Sequence, residues 1–176
     1  MYEHIKFKNA INMRKANYGK FPSTKLTGML VQGWDSIISM LKEKMDARKV
    51  LAGDLYTGVY EEEVLDAFSK EFSGRVMNVR DLMKPEKEIQ TLTERFMTED
   101  VLFGYVTNLK LEDYLDADKV AVARKQISEA KETIVIIGTG AAVVAPQDAM
   151  VVYADMARWE IQQRFRRHEV KALGID

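Results

Sequence analysis

From Gly33 onward the apolar positions follow two alternating rhythms. Trp34, Ile38, Leu41 and Met45 recur at helical spacing and predict an amphipathic helix over 34–47. Lys49 to Asp54 is short and aliphatic, carries Gly53 near its end, and reads as a first strand. Residues 60–71 return to the helical period with Val64, Leu65 and Phe68 on the inner face, and Gly74 is expected to close that helix. Arg75 to Val79 predicts a second strand. Asp81 follows, then a helix with Pro85 in its first turn and a stripe of Ile89, Leu92 and Phe96. Residues 99–115 are mixed, with Phe103, Tyr105 and Tyr114 as packing aromatics. Asp116 or Asp118 caps a further helix, in which Val120, Ala123, Ile127 and Ala130 keep the period. Thr133 to Ile137 is β-branched and apolar without alternation, the mark of a strand covered on both faces. Gly138-Thr139-Gly140 ends it. Val151 to Ala154 is the last strand, and Asp155 is expected to cap a helix reaching Ala172.

Short strands alternating with helices imply βαβ units and a parallel sheet layered by helices. The expected fold is therefore one three-layer α/β domain over 33–176, with a mostly parallel sheet. Residues 1–32 show no clear period and gather glycine and proline between Tyr18 and Pro22. They read as an N-terminal arm or lead-in with a short helix at 3–15, lying over the domain or connecting to a partner.

Composition narrows the chemistry. The chain has 176 residues and a net charge of −1, so no overall field points to nucleic acid or a membrane surface. It has no cysteine, which removes thiolate catalysis, disulfides and Cys-based metal sites. Its 2 histidines, His4 and His168, are remote in sequence, so no histidine-rich zinc site and no bound metal is expected. The longest uncharged apolar run, Ile134 to Pro146, is too short to span a bilayer, and a cytoplasmic location is the expectation.

Four stretches carry candidate chemistry. Gly53-x-x-x-x-Gly58 has the spacing of a phosphate-binding loop between a strand and a helix, but Val59 and Tyr60 stand where such a loop has Lys and Ser or Thr. Glu61, Glu62 and Glu63 then fill the positive end of the helix dipole, where they stabilise the helix and oppose a triphosphate. A strand–helix corner explains the same residues. Asp81, just past the second strand, is placed either as a general base or as a turn residue. Gly138, Thr139 and Gly140 form a glycine loop at the carboxyl edge of the sheet, lacking the third glycine of a dinucleotide fingerprint. Arg158, Arg164 and Arg167 on the last helix suit either transferring phosphates or a solvated face.

The order strand, GDLYTG, helix, VRD, IVIIGTGAA and an arginine-rich last helix resembles the skeleton of the uridine kinase and phosphoribulokinase group. That resemblance implies a P-loop-kinase-like fold with a degenerate phosphate loop. YGKFPSTKL, GWDSIISML, KVLAGDLYTGVYEEEVL, RDLMKPEKEI, GTGAAVVAP and YADMARWEIQQRFRR resemble the N-terminal domain of long-form bacterial class I mannose-6-phosphate isomerases, over nearly the whole chain. In that family a cupin module follows and holds the catalytic zinc. The resemblance implies an accessory binding or assembly domain that lacks the isomerase centre. Its expected partners are a cupin isomerase domain or a homologous chain, with a sugar phosphate or nucleotide as candidate ligand and a homodimer as candidate assembly. A small-molecule phosphotransferase using Asp81, Arg164 and Arg167, and a structural dimerisation module, are the rival readings.

Overall fold

The apolar run at 133–137 falls on one of the two inner strands of a four-stranded parallel sheet in the computed structural model, which describes residues 19, 22–25, 27–45, 49–100 and 104–175. The chain divides into two units, Met1–Val31 and Gln32–Asp176, and every element below belongs to the second. The helix expected at 3–15 lies outside the described residues.

The elements in order are α1 (Trp34–Met45), β1 (Val50–Leu55), α2 (Glu61–Glu71), β2 (Arg75–Asn78), a 3-10 turn (Val79–Leu82), α3 (Glu86–Glu94), α4 (Leu111–Tyr114), α5 (Ala117–Glu129), β3 (Ile134–Gly138), α6 (Ala141–Val144), β4 (Met150–Ala154) and α7 (Arg158–Arg166). The strand order is β2-β3-β1-β4, with Val50 opposite Ile134 and Leu51 opposite Met150. Side-chain alternation along β1 and β3 sorts the core into two layers. Val50, Ala52, Ile134 and Ile136 pack under Val120, Ala123 and Ile127 of α5, with Ala141 and Val144 of α6. Leu51, Leu55, Val135 and Ile137 face Ile38, Leu41 and Met45 of α1 and Val64 and Phe68 of α2. Each fully buried aliphatic side chain contributes about 1.5–3 kcal/mol, so this double coverage is what holds the sheet. The second unit is a three-layer α/β fold.

Several local expectations are corrected by packing. Gly74 does not close α2, which is capped by the Phe72 amide bonding to Phe68 O. Gly74 is instead needed because a Cβ there would collide with the Thr133 carbonyl, which accepts the Arg75 amide at 3.0 Å. Pro85 precedes α3 rather than opening it, and its carbonyl accepts from Glu88 and Ile89. Of the expected stripe only Ile89 is fully enclosed; Leu92 and Phe96 are half-buried, and Phe96 lies past the end of α3 at Glu94. Of the three expected packing aromatics, Phe103 lies outside the described residues, Tyr105 is exposed, and Tyr114 packs against the α5 layer. Asp116, not Asp118, caps α5, accepting from the amides of Asp118 and Lys119. Asp155 caps nothing beyond the Met156 amide, and α7 ends at Arg166 rather than at Ala172.

The chain leaves β1 toward α2 in one layer and leaves β3 toward α6 in the other. Adjacent strands whose exits diverge open a crevice outside their carboxyl ends, where ligands of open α/β sheets bind.

Candidate functional site

The crevice has a volume of about 520 Å³. Its walls are the 56–60 loop and the start of α2, Thr139, Asn78 and Arg80 at the start of the 3-10 turn, and the C-terminal segment from Glu169 to Leu173.

Gly53 lies inside β1, opposite Ile137, and not in the loop. A Cβ at Gly53 would stand 2.6 Å from Ile137 Cδ1, so the position serves core packing. The loop proper begins after Leu55, turns through a Val59 N to Tyr56 O bond of 3.1 Å, and uses Gly58 at φ 95°. Glu61, Glu62 and Glu63 form the first turn of α2, as the dipole favours, and Tyr60 precedes it without a side-chain cap. Glu63 accepts from Trp34 Nε1 at 2.9 Å. Glu61 Oε2 stands 3.9 Å from Arg80 Nε, while Oε1 is enclosed without a hydrogen-bond partner among the described residues.

The glycine loop after β3 is filled from within. Asp54, near the end of β1, accepts from Gly140 N at 3.1 Å and from Ala142 N at 3.0 Å. The amides that would cradle an anion at this edge are therefore turned to the protein's own carboxylate. Gly138 takes φ 134° against Val79, and Gly140 takes φ 90°. Thr139, between them, faces the crevice. Pattern reading overlooked Asp54; its signal was an acidic residue next to the end of an otherwise apolar strand.

Two of the three candidate arginines converge on the 56–60 loop. Arg164 donates from Nη1 to Gly58 O at 2.8 Å and from Nε to Glu160 at 3.3 Å, and its guanidinium lies 3.6 Å from the Tyr60 ring centre. Arg167 binds Glu169 through Nε at 2.6 Å and Nη2 at 2.8 Å, and reaches Glu160 at 3.1 Å. Tyr60 Oη donates to the same Glu169 carboxylate at 2.7 Å. Ile161 packs where a side chain at Gly58 would stand, so α7 grips the loop by contact as well as by charge. Arg158 is exposed and takes no part in this clasp. Asp81 is exposed on a separate groove with Arg75, Asp118 and Lys119, while its neighbour Arg80 faces the crevice. Tyr60, Glu160 and Glu169 had no sequence signal, since their roles depend on α7 ending and turning back.

The Arg167 guanidinium, aided by the Tyr60 hydroxyl, holds the Glu169 carboxyl down at about 2. The bond to Glu169 pushes the Tyr60 phenol above its ordinary 10.0. A lowered carboxylate value adds stability that is complete above the ordinary 4.5 and is lost as pH falls toward about 2. A raised phenol value adds stability present below 10.0 and lost as pH rises past it. Calorimetry of wild type against Glu169→Gln should show a Tm difference that is constant from pH 5 to 9 and shrinks between 4.5 and 2. A difference unchanged down to pH 2 would show that the ionised carboxylate adds nothing. Arg167 and Glu169 are surface-exposed, so salt should reduce the effect.

No set of three or more acidic or histidine side chains is gathered to hold a metal among the described residues. No helix among them is long and apolar enough to cross a membrane. Residues 33–176 match the model of a family described as a domain of unknown function (DUF8485). No curated protein and no solved structure matches the chain.

Proposed function

The chain belongs to the DUF8485 family, and from that premise we propose that its domain is a binding or assembly module rather than a phosphotransferase. One observation carries this reading: the anion-binding positions at the carboxyl edge of the sheet are taken by the protein's own groups. Asp54 occupies the Gly140 and Ala142 amides, Glu61 to Glu63 occupy the α2 terminus, and Arg164 is spent on Gly58 and Tyr60. A triphosphate entering here would meet carboxylates where it needs cations. The resemblance to the N-terminal domain of mannose-6-phosphate isomerases supports the same role: an accessory domain that docks a zinc-bearing cupin partner or a homologous chain, in a cytoplasmic sugar-phosphate isomerase. Zinc and the aldose–ketose chemistry then reside in that partner.

Titration calorimetry with magnesium ATP, mannose 6-phosphate and fructose 6-phosphate tests the reading. Magnesium-dependent ATP binding is expected to be absent. Tight binding that survives charge reversal at Glu61, Glu62 and Glu63 would establish a working nucleotide site and sink the proposal. Metal-dependent interconversion of the two sugar phosphates by this chain alone would equally sink the assignment of the isomerase centre to a partner.

A further inference from the structure

The clasp at the rim of the crevice has the form of an occupied receptor. Three donors, Arg167 Nε, Arg167 Nη2 and Tyr60 Oη, converge on one carboxylate within 2.6 to 2.8 Å. A forked guanidinium with a phenol beside it is a geometry suited to carboxylate or phosphate oxygens. Arg164, stacked on the same phenol ring, brings a second guanidinium, and Glu160 bridges the two arginines at 3.3 and 3.1 Å, so one positive charge is left over for an anion once Glu169 leaves. The occupant is Glu169, which belongs to no helix or strand. It follows the left-handed turn at His168, φ 55°, and is tethered by its amide to Arg164 O at 2.9 Å. The contrast with Asp54 is instructive, because that carboxylate is fixed from within a central strand and bonds to main-chain amides. Glu169 sits on a surface turn and can leave without disturbing the sheet.

We propose that Glu169 is an internal stand-in that masks an oxyanion site built by Tyr60, Arg164 and Arg167. The site's ligand is a small molecule carrying one terminal carboxylate or phosphate. Its anionic end replaces Glu169, and its body enters the crevice that Glu169 lines beside Thr57, Asn78 and Thr139. The volume of about 520 Å³ falls in the range of small-molecule sites. The walls also carry Glu61, Glu62, Glu63 and Arg80, so the polar lining suits a hydroxyl-bearing body rather than a second anionic group. Displacement exchanges one charge-assisted contact for another, so the intact protein binds such a ligand weakly and removal of Glu169 unmasks the site.

Inorganic phosphate and acetate, titrated separately at constant ionic strength, are the probes. Glu169→Ala should bind at least one of them roughly tenfold more tightly than wild type, or better. The double variant Arg167→Ala/Glu169→Ala should return to the wild-type level. Whichever anion shows the gain identifies phosphate or carboxylate as the natural end group. Glu169→Ser provides the same vacancy should the alanine variant fail to fold, with circular dichroism reporting the fold. A folded Glu169→Ala or Glu169→Ser protein that binds neither anion better than wild type overturns the proposal. So does a gain that persists without Arg167. The assembly reading fails on a different result, magnesium ATP binding by wild type, so the two stand or fall separately.

Discussion

Gly138→Ala is expected to destabilise the domain by about 2–5 kcal/mol, through two costs that act together. At φ 134° the backbone occupies a region that L side chains rarely adopt. An added Cβ would also stand 2.9 Å from Val79 Cβ, and Val79 is fully buried under the sheet. Neither partner can retreat, because β3 is held between β1 and β2. Gly140→Ala is the matched control. It shares a positive φ, 90°, but its Cβ would meet only Leu111 Cδ1 at 4.0 Å, so about 1 kcal/mol is expected. Urea denaturation of both variants separates strain from collision. Equal losses would mean that the Val79 contact adds nothing.

Asp54→Ala is the second large effect, expected at about 2–3 kcal/mol. The carboxylate is the acceptor for two amides on a segment that must turn sharply from β3 into α6. Removing it leaves Gly140 N and Ala142 N to find solvent or remain unpaired. Asp54→Asn should recover less than half the loss, because one oxygen becomes an NH₂ group facing an amide donor. A loss below about 0.5 kcal/mol, the range of ordinary surface substitutions, would show that the bridge between the β1 and β3 ends is incidental. Retention of full stability by the asparagine variant would point to shape rather than charge.

The layers of the fold were legible because burial writes itself into period. β3 is buried along its whole length and reads as an unbroken apolar run; α5 is buried on one side and reads as Val120, Ala123 and Ile127. The site was far less legible, for reasons of geometry. Gly53 and Gly58 have the spacing of a phosphate loop, yet spacing does not say where a strand ends. β1 continues to Leu55, which places Gly53 in the core. The turn after β2 is of 3-10 type, and a shift of one residue there decides which side chain faces the crevice: Arg80 does and Asp81 does not. The end of α7 was unreadable because helical character persists in the sequence past Arg166, while the turn through His168 is stabilised by contacts with Tyr60, more than a hundred residues earlier. The arginines were visible as charges. Their commitments to Gly58, Glu160 and Glu169 belong to tertiary structure.

The loop pinned by Asp54 lends Thr139 to the crevice wall, and the Glu169 clasp lines the same crevice, but the two differ in what must move to release them. The amides held by Asp54 are joined to β1 and β3, so that wall opens only when the sheet itself comes apart. The wall carried by Glu169 rests on exposed ion pairs and a surface turn, and can open while every strand stays paired. One side of the crevice thus keeps the timescale of global unfolding and the other that of a local fluctuation. A guest can enter by the fast side and still find the slow side unchanged.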